Sequence, residues 1–355
     1  MKSRSSIRDS GIELLRIISM FLIIFHHYFI HGGYEKFSYE TLTINQIFVQ
    51  IAGVYGRAAC AIFALISGYF MVKNGLTKRK VLSCVAELMF YSICITICLT
   101  IIMPGFFSKE SIIRSFFPVF FGCWYVVYYI IFLMIVPFLN KMILALDKKS
   151  YTRFLIVLLI IWSVIPTLSN YAWKFSSIDF FFVMYLIGAY IRLHCSVEKI
   201  NWCGTIAIVS AGLMALSVLF INILGKELHI DNIAEKAWYF REYNSILSVI
   251  FSISIFVKFL NIHFYSKVTN RIARSVMAIY LIHDNKMLRT VIWERIWPNK
   301  NYLESDYMLI HMVVKVFLVF VVALAIDQIR IGCIITIRKI FGAVKKVYSL
   351  ERGDT

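Results

Sequence analysis

The sequence predicts an all-α protein, a polytopic transmembrane helical bundle of about ten spans with both termini in the cytoplasm. Three observations predict it. Of 355 residues, 60% are hydrophobic and only 16% charged, whereas soluble domains carry about 45–50% and about 25%. The excess falls in apolar runs of roughly 18–25 residues, each long enough to cross a hydrocarbon core of about 30 Å. Finally, Lys and Arg sit between the runs and favour alternate connectors. A soluble enzyme is excluded.

In chain order, the runs place spans near 12–30, 46–72, 81–103, 119–139, 153–169, 178–193, 203–224, 244–262, 271–287 and 307–330. Lys2, Arg4 and Arg8 precede the first run, as in a signal peptide. Glu13, Arg16, His26 and His27 interrupt it, and no small-residue cleavage site follows, so a retained span is expected. The second span carries Arg57 and ends near Ser67-Gly68, and the fourth opens on Trp124, Tyr125, Tyr128 and Tyr129. In the ninth, Arg271, Arg274, His283, Asp284 and Lys286 crowd a short apolar centre. Glu87 in the third and Lys315 in the tenth are candidates to pair.

With the N-terminus inside, the cytoplasmic segments hold 23 Lys and Arg and the outer loops 11. This positive-inside bias requires an even number of spans, which ten satisfies. It also accounts for the net charge of +17 without nucleic acid, because the basic residues do not cluster with interleaved aromatics. The eight cysteines form no CxxC pair and read as small buried hydrophobes, so neither a disulfide framework nor a metal site is expected. No loop exceeds about 25 residues. The expected organisation is one integral-membrane domain over 1–345 with a short cytoplasmic tail, 346–355. Chemistry must then come from side chains inside the membrane or at its faces.

Intramembrane ionisable residues are expensive and turn toward a bundle interior or a wet cavity. At about 100° per residue, Arg16 and His27 align within about 20° and Glu13 within about 40° of His27, while His26 points away. Arg16 lies toward the cytoplasm, and His27 stands about 16 Å further along the helix. A guanidinium at the inner end suits phosphate oxygens of a soluble donor. A neutral imidazole deeper in suits proton abstraction from a hydroxyl. The plainer readings are an interfacial Glu13–Arg16 pair and core histidines, the latter favoured for His26.

These residues resemble the opening signature of the integral-membrane acyltransferase family 3: Glu13-Leu-Leu-Arg16, ten residues, then His27. Arg57-Ala-Ala-Cys-Ala-Ile-Phe63-Ala-Leu-Ile-Ser67-Gly68-Tyr69 is similar to a second family segment, with Ala64 where a second Phe is usual. Trp124-Tyr125-Val126 and Tyr280-Leu-Ile-His283 are similar to two later ones, in order, across about residues 7 to 330. The resemblance implies transfer of an acyl group, usually acetyl, from cytoplasmic acetyl-coenzyme A to a hydroxyl of an extracytoplasmic glycan. By that pattern His27 would be catalytic and Arg16 its partner, with Glu13 setting Arg16. Arg16 and Arg57 would serve the donor, with no metal required. Many relatives carry a fused extracellular hydrolase-like domain, and none is expected within these 355 residues.

Other residues keep two readings. Arg57 suits an anion or a structural carboxylate pair, and Gly68 suits close helix packing or ligand approach. Trp124 and Tyr125 suit sugar stacking or an interfacial aromatic belt. His283 and Asp284 suit an acceptor entrance, orientation of His27, or neither. The expected protein is therefore a multi-pass cell-membrane O-acyltransferase that modifies a surface polysaccharide or glycoside, with acyl-coenzyme A and the lipid bilayer as its other partners. The rival is a transporter or flippase of a lipid-linked glycan, which ten spans and buried charges also suit. Transporters often pair Gly- or Pro-broken helices in inverted repeats, and the five prolines form no such pairing.

Overall fold

The computed structural model describes residues 9–34, 40, 42–169, 178–229 and 237–351. Its principal helices are α1 (Ser10–Ile30), α2 (Ile44–Gly53), α3 (Gly56–Asn74), α4 (Lys78–Ile102), α5 (Trp124–Ala145), α6 (Lys148–Leu159), α7 (Asp179–His194), α8 (Cys203–Glu227), α9 (Ile246–Leu260), α10 (Lys267–Arg274), α11 (Val276–His283) and α12 (Met308–Glu351). A π-helical turn carries α6 onward to Ser169, and no strand occurs among the described residues. The helices coincide with the predicted spans; α2 and α3 share the second, α10 and α11 the ninth. The last helix passes the expected boundary at 345, while residues 1–8 and 352–355, with Lys2, Arg4 and Arg8, lie outside the described residues.

Seven segments are long and apolar enough to cross a membrane: α1, α2–α3, α4, α5, α6 with its extension, α8 and α12. The other three fall short. Helices α7 and α9 have 16 and 15 residues, and α10 and α11 have eight each. At 1.5 Å per residue a 16-residue helix rises about 24 Å, less than the hydrocarbon core. The difference has a packing reason for α7, α9 and α11, which are enclosed by the long helices, while α10 stays largely exposed. Phe181, Met184, Tyr185 and Leu186 of α7, Phe256 of α9, and Ala278 and Ile279 of α11 are fully buried. The long helices instead expose Ile101, Phe138, Leu168, Ile208 and Ile329. Such an apolar belt is a liability in water and is matched by lipid tails.

Helix α3 packs against α1, α7 and α9. It meets α7 backbone to backbone: a Cβ on Gly68 would lie 2.1 Å from the Tyr185 carbonyl oxygen, and one on Gly188 2.2 Å from that of Leu65. This reciprocal contact carries the close-packing reading of Gly68. Tyr185 also donates to Asn140 Oδ1 at 2.7 Å, and Asn140 donates to the Met71 carbonyl at 3.1 Å, tying α5 to the same seam.

Three further contacts set the helices that carry chemistry. Ser10 Oγ donates to Asn270 Oδ1 at 3.0 Å, and a Cβ on Gly11 would meet the Ile262 oxygen at 2.0 Å, which registers α1 against α10. Glu87 and Lys315 do not pair. Glu87 lies 3.2 Å from Arg330, which also holds Asp327 at 2.6 Å. Lys315 donates to the carbonyls of Ile296 and Trp297 and to Asn299 Oδ1, closing the segment after α11 onto α12.

Gly68→Ala is expected to destabilise the protein by about 1–3 kcal/mol, the range for overpacking a fitted interior. Gly212→Ala, where a Cβ meets nothing within 4 Å, is the control. Thermal unfolding in nanodiscs checks this, and equal midpoints for the two variants would contradict the described α3–α7 contact.

Candidate active site

Helix α1 carries the polar stripe into the bundle. Arg16 lies 3.6 Å from Glu13, one turn apart, and Glu13 is buried. A cavity of about 260 Å³ opens beside Arg16 and runs between α1, α3, α5, α10 and α11. By their order along the helices, Arg16 and the exposed Arg274 fall at one end and Ile23, Phe63 and Met277 between. Tyr280, Tyr125 and Cys60 fall at the other end, which the burial of Tyr280 and Cys60 closes. The registration of Ser10 on Asn270 and of His27 on His283 sets the levels of α1 and α10–α11, bringing the two arginines to the same level.

His27 stands beside Tyr280, ring centroids 6.1 Å apart. Its Nδ1 lies 2.9 Å from His283 Nε2, and His283 Nδ1 lies 2.6 Å from the Ile279 carbonyl oxygen. A carbonyl only accepts, so His283 Nδ1 carries a proton and its Nε2 is the acceptor in the neutral ring. His27 Nδ1–H must then donate to it. That assignment follows from the hydrogen-bond network. It leaves the lone pair of His27 on Nε2, for which no protein hydrogen bond is made among the described residues. A buried imidazole held in this tautomer is a proton acceptor aimed by its neighbour.

Asp284 closes the cluster. Its carboxylate lies 3.2 Å from His31 Nε2, 3.9 Å from His27 Nδ1 and 3.8 Å from Arg289. Only 3% of Asp284 is exposed, so its charge needs these cationic or proton-bearing neighbours. The same carboxylate favours the imidazolium that forms when His27 takes a proton. One donor atom each from His27, His31 and Asp284 fall within 4.8 Å of one another, a set able to hold a metal ion. Binding through His27 Nδ1 would replace its hydrogen bond to His283.

The acyltransferase-domain family profile matches residues 9–327, nearly the whole chain. The chain belongs to the integral-membrane acyltransferase family 3. No curated protein and no solved structure matches it. With seven candidate spans, the protein is a multi-pass membrane acyltransferase.

Within this acyltransferase, the residues singled out in sequence divide into three places. His27, His283 and Asp284 come together at the histidine cluster, and Arg16 with Glu13 stands at the cavity mouth. Tyr125 forms part of the cavity's closed end, whereas Trp124 packs on Tyr243 at 6.0 Å and Phe180 at 6.3 Å. Arg57 lies elsewhere. It is ion-paired to Glu242, and its guanidinium rests 5.2 Å from the Tyr243 ring, so it does not line the cavity that Arg16 opens. His26 is a satisfied core residue: Nδ1 donates to the Gly53 carbonyl at 2.7 Å, and the ring fills the space beside Gly56.

Two functional candidates escaped the sequence reading. His31 follows His27 by four residues and caps the end of α1, and that spacing was a usable signal. Arg274 precedes a break at Ser275 between α10 and α11, which defeats any extrapolation of helical phase.

Selective ¹⁵N labelling of histidine, with His27→Gln to identify the His27 signals, tests the tautomer. The expected spectrum shows a protonated His27 Nδ1 and an unprotonated Nε2, and His283→Leu removes that preference. A His27 ring protonated on Nε2 in the wild type would contradict the assignment.

Proposed function

We propose that the protein transfers a short acyl group, acetyl in the first instance, from cytoplasmic acyl-coenzyme A to a hydroxyl of a glycan on the opposite face of the cell membrane. The observation that carries this reading is the cavity with two arginines at one end and the oriented His27 beside Tyr280 at the other. Basic residues bias the Arg16 end toward the cytoplasm. There Arg16, held by Glu13, meets phosphate oxygens of the donor in charge-assisted hydrogen bonds. The donor's thin arm lies along the apolar wall and brings the thioester toward His27.

The acceptor hydroxyl approaches His27 from the other side. His27 Nε2 takes the hydroxyl proton as the oxygen attacks the thioester carbonyl, and Asp284 stabilises the imidazolium. As the carbon–sulfur bond breaks, His27 returns the proton to the sulfur, leaving an ester and free coenzyme A. His283 positions His27 through Nδ1. Trp124, His31 and the Arg57–Glu242 pair belong to the acceptor side in this reading, and the acceptor is a polysaccharide or glycoside. The reaction in this form has no step that requires a metal.

Purified protein in nanodiscs, supplied with radiolabelled acetyl-coenzyme A and envelope glycan, tests the proposal through alkali-labile label on the glycan. His27→Ala is expected to lower the rate about 10²–10⁴-fold, the usual worth of a positioned general base. Arg16→Ala is expected to weaken donor binding by about 1.5–3 kcal/mol, as for other hydrogen bonds to charged groups. A folded wild type that labels no glycan and binds no coenzyme A would overturn the reading.

A further inference from the structure

We infer that the closed end of the cavity, formed by Tyr280, Tyr125 and Cys60, limits the length of the acyl group, so that acetyl fits and longer chains are refused. This rests on the donor reading above and adds what selects among donors. At about 260 Å³, the cavity falls below the roughly 300–1,000 Å³ of sites that enclose drug-sized ligands. It has room for a slender arm, while a nucleotide must stay at the mouth with Arg16 and Arg274. The acyl group, at the tip of that arm, therefore meets the closed end.

That end is braced. Tyr125 donates its hydroxyl to the Cys60 carbonyl at 3.3 Å, which fixes one ring to α3. The Tyr280 ring meets it edge to face at 5.8 Å. Tyr280 is itself buried, with His283 nearly perpendicular to it at 5.8 Å and His27 beside it at 6.1 Å. A thioester carbonyl that reaches His27 has already come level with Tyr280. Further methylenes would have to displace one of two interlocked rings, and such interiors resist added volume. One methylene in a fitted pocket discriminates by about 10–200-fold, so two give a large margin.

The test compares acetyl- and butanoyl-coenzyme A by calorimetry on nanodisc-embedded protein. Modification of Cys60 by methyl methanethiosulfonate, read by mass spectrometry of its peptide, gives a second readout independent of turnover. The wild type is expected to bind butanoyl-coenzyme A at least about tenfold more weakly than acetyl-coenzyme A, and bound acetyl-coenzyme A is expected to protect Cys60. Tyr280→Ala is expected to erase the difference, whereas Tyr280→Phe, which keeps the ring, retains it. Cys60→Ala enlarges the same end and serves if Tyr280→Ala does not fold; it is expected to narrow the difference. Equal wild-type affinities, or an unchanged ratio in folded Tyr280→Ala and Cys60→Ala, would overturn the length limit while leaving the donor site standing. Absence of both coenzyme A binding and Cys60 protection in the folded wild type would overturn the donor site as well.

Discussion

A buried imidazole inside a membrane bundle needs its ring nitrogens accounted for, and the His27–His283 hydrogen bond does this for the whole site. Because Ile279 offers only a carbonyl, the proton positions of two rings follow from one backbone oxygen. The consequence is directional, since the basic nitrogen of His27 is the one that makes no hydrogen bond among the described residues. Asp284 supplies the compensating charge, and its own burial is tolerated because His31, His27 and Arg289 surround it. Remove the backbone acceptor or rotate α11, and the tautomer of His27 is no longer specified. The rest of the structure holds α1 and α11 in the register that makes this bond possible.

That register comes from the way the bilayer divides the helices. Long apolar helices such as α4, α6, α8 and α12 face lipid, where composition matters more than shape. Of the short ones, α7, α9 and α11 are enclosed and set by close packing, and the Gly68–Tyr185 and Gly188–Leu65 contacts seat α7 on α3. Ser10 on Asn270 and Gly11 against Ile262 lock the start of α1 to α10. His27 then meets His283 at the far end of the same pair of helices. Between these fixed points lies the cavity, with Arg16 and Arg274 at its mouth.

Much of this was legible in the chain. Apolar runs located every helix that crosses the bundle, and the spacing of Glu13, Arg16 and His27 put the polar face of α1 toward the interior. The motif resemblance led to the family that the profile match establishes. What escaped was long-range pairing. Arg57 read equally as a donor ligand or an ion-paired residue, and only the return of Glu242 from a distant loop decides its surroundings. Glu87 and Lys315 were opposite charges of suitable depth, yet Arg330 and three oxygen acceptors claim them instead. Arg274 escaped because a helix break at Ser275 resets the phase. Three predicted spans also fell below spanning length, since enclosed helices need not match the lipid.

In the proposed reaction, donor and acceptor approach one reaction centre from opposite faces of the membrane. Sealed vesicles with the protein in a single orientation test it directly, with glycan trapped inside or outside and radiolabelled acetyl-coenzyme A confined to the other side. With the Arg16 face toward the donor, label is expected on the glycan across the membrane, with coenzyme A released on the donor side. Transfer only when donor and glycan share a face would contradict the account.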